Sequence, residues 1–337
     1  MSRFNQCRLR NAVGLLGLSL MVLAGCGSDA ITKKPSTAGT TSATTGASTV
    51  SQAGSSTTGA VADAVPFSVT DPNGTVTLKA KPVRIISLSP SHTEMLFAIG
   101  AGAQIIAVDD QSTFPAQASA IPHDLSGFTP NVEAIAANKP DLVVIGDDSA
   151  KLSSQLGQLN IPVYYGPSAA SLDDVYSQIS QLGNLTDHVV NAAKLVAKMT
   201  ADVKSIVAGV PKLGTPLSYY HELDSTYFSV TSKTFIGQIY ALAGLRDVAD
   251  SAVAGNDYPQ LSAEFIVSSN PDLIFLADTK CCQQTAATVA ARDGWTSINA
   301  VKNGHIVAMD DDIASRWGPR VVDYLRAVVA AVKTAAP

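Results

Sequence analysis

Two glutamates stand at matching places in two copies of one pattern. The stretch VEAIAANKPDLVVI runs from Val132 to Ile145, and AEFIVSSNPDLIFL from Ala263 to Leu276. Glu133 and Glu264 each lie seven residues ahead of a Pro-Asp-Leu triplet, Pro140-Asp141-Leu142 and Pro271-Asp272-Leu273. A surface carboxylate is a point of attachment for an arginine, and two at equivalent places suit a partner that is itself two-fold. The plainer reading is two ordinary first-turn glutamates favoured by the helix dipole. Other side chains with chemistry to offer, in predicted loops or on strands beside them, are His92, Phe114, Phe128, Tyr219, Tyr220, His221, Tyr227, Tyr258, Trp295 and Trp317. Aromatic walls with a few polar groups line sites for large, partly apolar ligands, although each of these residues is also a candidate for the core. In DDDIASRWGPR, Asp310 to Arg320, the guanidiniums of Arg316 and Arg320 are suited to ligand carboxylates, amides or catecholates, and Trp317 to stacking. Alternatively, Asp311 or Asp312 takes the arginines and stiffens the loop.

Catalytic patterns are missing. The chain has no Gly-x-Ser-x-Gly elbow, no His-Glu-x-x-His and no glycine-rich phosphate loop. His92 and Glu94 make a His-x-Glu fragment without the downstream Cys-x-x-Cys that a zinc deaminase needs. Five histidines spread along the chain give no metal-ligand spacing. The adjacent pair Cys281-Cys282 has three readings: two small thiols, a strained vicinal disulfide, or a metal-ligating pair. The strain follows from a Cα separation of about 3.8 Å, below the usual disulfide range.

The elements that must position these residues read as α/β. Each repeat is a short helix, a Pro-Asp turn and a buried parallel strand. Phe67 to Leu78 predicts a hairpin turning at Asp71-Pro72-Asn73-Gly74. Arg84–Leu88, Gln104–Val108, Leu142–Ile145 and Pro162–Tyr165 predict strands, with Ser89-Pro90-Ser91 as a turn and helices at Thr93–Ile99 and Lys151–Leu159. Ser171 caps a helix from Leu172 to Leu182, with Asp174 three residues on. A long helix follows from Asp187 to Ala208, capped by Thr186 and ended by Gly209 and Pro211. Its apolar residues recur at three-and-four spacing, and about 22 residues give a rod of roughly 33 Å. Beyond it come strands at Leu217–Glu222, Tyr227–Val230 and His305–Ala308, and helices at Phe235–Ala243 and Pro319–Ala330. Two similar lobes, residues 65–185 and 210–337, joined by one helix at 186–209, account for this order. Ligands of such sheets lie beyond the carboxyl ends of the strands.

The N-terminus reads as a targeting device. Arg3, Arg8 and Arg10 precede an apolar run from Val13 to Leu23, which closes on Leu23-Ala24-Gly25-Cys26. That resembles a lipobox, which implies a signal peptide over residues 1–26 and a lipidated Cys26. Residues 27–64 are rich in Ser, Thr, Ala and Gly without an aromatic, so they predict a disordered tether. The body is then expected outside the cytoplasm, held to a membrane only by lipid. A net charge of −5 with 15% charged residues argues against nucleic acid.

The stretch RIISLSPSHTEMLFAIGAGAQIIAVDD, Arg84 to Asp110, resembles the opening signature of the class III (helical-backbone) substrate-binding proteins of ABC importers. The resemblance continues through both glutamate repeats and spans roughly residues 66 to 332. It implies two Rossmann-like lobes with parallel sheets on a single long helix, and a cleft that clamps a metal chelate, either a ferric siderophore or cobalamin. It also implies that Glu133 and Glu264 dock on a permease dimer with its ATPase, that the protein is a monomer, and that it is neither an enzyme nor a holder of a cofactor or resident metal. In the cobalamin binder, aromatic rings in the loops corresponding to Phe128 and Tyr258 lie on the corrin. Haem binders often place a ligating tyrosine where this chain has Phe128, leaving His92 or His221 to serve. A haem- or free-metal-ion-binding lipoprotein and a sensory lipoprotein without transport are the competing readings.

Overall fold

The computed structural model describes residues 67–252 and 255–337. The signal peptide, Cys26 and the tether read from the sequence lie outside the described residues. Val65–Pro337 forms one compact unit.

Strands β1 (Phe67–Asp71) and β2 (Gly74–Leu78) form the expected hairpin, with Asp71 paired to Gly74 across the turn. The Asp71 carboxylate accepts from Asn73 N at 2.8 Å and from Tyr165 N at 2.8 Å, so one side chain both makes the turn and fastens it to the lobe.

The first lobe then alternates strand and helix: β3 (Ile85–Leu88), α1 (Pro90–Ala98), β4 (Ile105–Val108), α2 (Val132–Ala137), β5 (Leu142–Ile145), α3 (Leu152–Gln158) and β6 (Val163–Tyr165). Its parallel sheet has the order β4-β3-β5-β6. The Ser89-Pro90-Ser91 turn is in fact the start of α1, with Ser89 as its N-cap and Pro90 at the first helical position, where a missing N–H does no harm.

Helix α4 (Leu172–Thr186) is capped by Ser171 as expected, and α5 (Val189–Ala208) is the linking rod. Thr186 does not cap that rod. Its hydroxyl donates back to Leu182 O at 2.7 Å inside α4, and Asp187 turns the chain with a left-handed φ of 62°. The rod therefore has 20 residues, about 30 Å. Its buried residues are Ala192 and Met199, while Val189 of the expected apolar stripe faces outward. A Cβ at Gly183 would stand 2.5 Å from Ala192 Cβ, so glycine is what lets α4 and α5 cross closely.

The second lobe repeats the plan: β7 (Ser218–Glu222), α6 (Phe235–Leu242), β8 (Arg246–Asp247), α7 (Ala263–Ser269), β9 (Leu273–Leu276), α8 (Ala286–Ala290), α9 (Asn299–Lys302) and β10 (Ile306–Ala308). The order is β10-β9-β7-β8, again parallel. After α10 (Asp311–Ser315), the last helix α11 runs from Val321 to Ala335, starting later than Pro319 and ending five residues beyond Ala330. Tyr227–Val230 is not a strand. Tyr227 has a φ of 70°, which breaks an extended chain, and only Phe228 makes a bridge, to Gln260.

The Pro-Asp turns are structural in the same way twice. Asp141 accepts from Val83 N at 2.9 Å and Arg84 N at 3.0 Å; Asp272 accepts from the Ser218 amide and hydroxyl at 2.9 and 2.8 Å. Each carboxylate thus pins the entry to the first strand of its own sheet. One hydrophobic core runs through both lobes, from Ile85, Leu96 and Val144 past Ile179 and Leu182 to Tyr240, Phe275 and Val328.

Candidate ligand cleft and docking residues

Glu133 and Glu264 occupy the first turns of α2 and α7, both exposed. Asn131 caps the first helix by accepting from Ala134 N at 3.0 Å, and Ser262 the second by accepting from Phe265 N at 3.1 Å. The backbone amide at the helix start holds the Glu264 carboxyl below its usual range, with help from the Ser262 hydroxyl. Among the described residues no basic side chain pairs with either glutamate.

Three of the aromatic candidates face solvent: Phe114 at 42%, Phe128 at 79% and Tyr258 at 45% exposure. Phe128 precedes α2 and Tyr258 precedes α7. The Ser126 hydroxyl accepts from Phe128 N at 3.3 Å, and the Asn256 side chain accepts from Tyr258 N at 3.0 Å. In both loops a side chain two residues upstream fastens the backbone that holds the ring out. A ring held out in this way is available to a ligand, and rings that share one patch mark a binding surface. Phe114 follows β4, and the Arg320 guanidinium lies over its ring, 4.1 Å from the centroid.

Other candidates are withdrawn from any ligand. Tyr219, Tyr220 and His221 all lie on β7, whose five residues are buried because helices cover both faces of the parallel sheet. The Tyr220 ring meets Trp295, also fully buried, edge-on at 6.1 Å, and Tyr219 bonds through its hydroxyl to Asp247. His221 Nδ1 meets the Tyr240 hydroxyl at 2.8 Å, and burial lowers its pKa to about 3. His92 is buried in α1, its Nδ1 at 2.8 Å from Ser89 Oγ; a Cβ at Gly166 would lie 2.2 Å from its other nitrogen. Burial, partly opposed by the Gln178 side chain, lowers its pKa to about 4. Both histidines are therefore neutral near pH 7. Tyr227 is half-buried between Trp295 and Arg292, and Trp317 is half-buried against Phe235 at 5.5 Å.

The arginines are engaged within the protein. Arg320 grips Glu94 at two points, Nε to Oε2 at 2.9 Å and Nη2 to Oε1 at 2.5 Å. Arg316 lies 3.6 Å from Glu94 and 2.9 Å from Asp312, and donates to Thr113 Oγ1 and Gln111 O. The alternative in which an aspartate takes an arginine holds for Asp312. Asp311 instead accepts from the amides of Thr279, Lys280 and Cys281. With Lys280, which binds Asp310 and shares Asp312, three carboxylates and three cations so form a balanced set across the lobes. Glu94, only 3% exposed, was visible in the sequence only as part of a His-x-Glu fragment.

Both sheets reverse direction between their first and third strands, the place where doubly wound sheets open a crevice. Here those crevices are filled from within. His92 lies over the ends of β3, β5 and β6 in the first lobe. In the second, Arg292 pairs with the buried Glu222 at the end of β7 through two bonds of 2.6 Å and covers Trp295 at 4.5 Å. Beside them, burial and the Glu222 charge push the Asp278 carboxyl up to about 8, so it is protonated near neutrality. No sequence signal marked Arg292 or Asp278. A separate cavity of about 960 Å³, lined by Lys79, Lys81, Asp141 and Ile161, lies against the hairpin and involves none of Phe114, Phe128 and Tyr258.

The model of the periplasmic binding protein family matches residues 85–313. The chain belongs to this family. Among curated members, the uncharacterized ABC transporter substrate-binding lipoprotein YvrC of Bacillus subtilis is 28% identical over 91% of both chains. The cobalamin-binding protein of Halobacterium salinarum is 30% identical over 77% of this chain and 73% of its own. Among solved periplasmic binding proteins, the vitamin B12 binding protein BtuF of Vibrio cholerae superposes with a TM-score of 0.63, at 25% identity, over 75% of this chain and 98% of its own. Membership agrees with the resemblance read from Arg84 to Asp110, and the two parallel-sheet lobes agree with the fold it implied.

Proposed function

We propose that the protein is the extracytoplasmic substrate-binding component of an ABC importer, lipid-anchored through Cys26, and that its ligand is a metal chelate of the corrinoid type. Two observations carry this: Phe114, Phe128 and Tyr258 are held out to solvent, and Arg316 and Arg320, the latter over the Phe114 ring, are already paired with Glu94 and Asp312. Aromatic faces without free positive charge suit a broad macrocycle ringed by amides better than an anionic ferric catecholate. The cobalamin-binding relatives support the same choice. For haem, Phe128 has no oxygen to coordinate iron, and His92 and His221 are buried.

In this reading the protein captures and presents without catalysing. The two lobes close only slightly on the ligand, and the exposed pair Glu133 and Glu264 then engages arginines of a two-fold permease, whose ATPase acts on the far side of the membrane. Titration of tyrosine and tryptophan fluorescence tests the ligand assignment, using cobalamin, a ferric catecholate, a ferric hydroxamate and haem, with inner-filter correction. Saturable quenching by cobalamin at micromolar concentration or below is expected. Saturation by a siderophore or haem instead would replace the corrinoid, and silence from all four would overturn the chelate reading.

A further inference from the structure

Cys281 and Cys282 follow β9 on a loop that the proposed transport role does not use. The loop is tightly built. Asp278 O accepts from Cys282 N at 3.1 Å and from Gln284 N at 3.3 Å, while the Asp311 carboxylate of α10 accepts from Thr279 N, Lys280 N and Cys281 N at 2.8 to 2.9 Å. Lys280 is tied to Asp310 and Asp312 at 2.8 and 3.0 Å, and Gln283 takes a left-handed φ of 56°. Within this frame the two Sγ atoms stand 2.8 Å apart, with Cys281 exposed and Cys282 half-buried. The sulfurs are thus each other's neighbours, and one is within reach of a reagent in solvent.

We infer that Cys281 and Cys282 are a reversible dithiol–disulfide site, closed by thiol–disulfide exchange with a small-molecule or protein disulfide. The Cys281 thiolate attacks the oxidant's disulfide, forming a mixed disulfide and releasing one thiol. The Cys282 thiolate then attacks Cys281 Sγ, forming the bond within the pair and releasing the second thiol. The cysteines lose two electrons and two protons, and the oxidant takes both. Adjacent Cα atoms lie about 3.8 Å apart, closer than in relaxed disulfides, so the bond is strained and belongs to the readily reduced kind.

The site is wired to the floor of the second lobe. Gln284 donates to Cys282 O at 3.1 Å and accepts from Arg292 at 2.8 Å, and Arg292 holds Glu222 at the end of β7. A change in the Cys282 carbonyl on ring closure is felt by the one side chain that bridges it to Arg292. The extracytoplasmic assignment supplies an oxidising setting for this chemistry, and the inference rests on it only for where the site operates.

The full-length chain, equilibrated over a series of oxidised-to-reduced glutathione ratios, quenched in acid, alkylated in denaturant and digested with trypsin, tests the site directly. Cleavage after Lys280 and Arg292 isolates a peptide carrying both cysteines and neither Cys7 nor Cys26. Under oxidising ratios the peptide is expected unalkylated and lighter by two hydrogens than the free dithiol form, and doubly alkylated after dithiothreitol. The Cys281→Ser variant should leave Cys282 open to alkylation or to glutathione. A wild-type peptide that is doubly alkylated at every ratio, that stops at a glutathione adduct, or that is found cross-linked to another peptide would overturn the inference. None of these results touches the ligand titration, so the two readings fail separately.

Discussion

Glu94 and Arg320 lie 226 positions apart in the chain and meet through two hydrogen bonds of 2.9 and 2.5 Å, joining α1 of the first lobe to the approach of the last helix. Arg316 adds a second guanidinium to the same carboxylate at 3.6 Å. Three largely buried charges therefore depend on one another.

Removing the shared anion should be costly. Glu94→Ala leaves two guanidiniums without their common partner, and loss of one member of a buried pair typically destabilises by about 3–5 kcal/mol. Urea unfolding followed by circular dichroism should show the midpoint falling sharply. Arg320→Lys should fall between wild type and Glu94→Ala, because lysine keeps the charge but not the two-point geometry. An unchanged midpoint in Glu94→Ala would mean the pair contributes nothing net.

The aspartates of the two repeats should be separable. Asp141→Ala and Asp272→Ala each leave strand-entry amides without an acceptor, at a cost of about 1–3 kcal/mol. They serve different sheets, so the double variant should lose the sum of the single losses to within about 0.5 kcal/mol. A clear departure from the sum would show that the lobes sense one another's strand entries.

Mouth and fold should also separate. Phe128→Ala removes a ring that is 79% exposed, so thermal stability should hardly move while affinity for the chelate falls by about tenfold or more, roughly 1.4 kcal/mol. Tyr258→Phe should retain affinity that Tyr258→Ala loses if the ring rather than the hydroxyl makes the contact. Equal losses in the two Tyr258 variants would assign the contact to the hydroxyl.

Charge reversal at the repeat glutamates separates capture from delivery. Glu133→Arg with Glu264→Arg should abolish uptake by cells and leave affinity intact, since both side chains are exposed. Lost affinity in the purified double variant would place these residues in the binding site or the fold instead.

Asp278 predicts a pH dependence. Its folded-state carboxyl titrates at about 8 against 3.8 for the ordinary group, raised first by burial and then by Glu222. A raised pKa means the folded state keeps a proton that the unfolded chain has lost, so this contribution to stability is complete below about 4 and declines as pH rises to about 8. Relative to Asp278→Asn, the wild type should lose stability over that window and then hold a constant difference. Parallel pH profiles of the two proteins would show that the group is ionised throughout.

Sequence order made the lobes legible because the repeat carries its own punctuation: Asn131 and Ser262 as caps, proline after the helix, and a β-branched or aromatic run. Sheet order and the exposure of Glu133 and Glu264 follow from that local grammar. The misplacements have one physical source. Tyr220 and His221 read as ligand candidates because a hydroxyl and an imidazole look wet, yet β7 is covered on both faces and the partner of His221, Tyr240, comes from a helix well beyond the strand. Glu94 is not offered by the sequence as the partner of Arg316 and Arg320, because it lies in the other lobe. Thr186 read as a cap because its hydroxyl has the right type, whereas its actual acceptor, Leu182 O, belongs to the helix before. Local pattern specifies elements; which polar group neutralises which is a long-range matter.

The single core that threads both lobes has a consequence for traffic at the membrane. The helices of Glu133 and Glu264 pack on clusters of their own lobes through Ile135 and Ile266, and the lobes share this core, so the spacing between the two glutamates is a property of the folded chain more than of its cargo. With the docking role proposed above for these glutamates, empty and loaded molecules would offer a permease nearly the same grip. Vacant carriers would then compete with filled ones, and the yield of the system would depend on how many copies the cell displays relative to the ligand it can find.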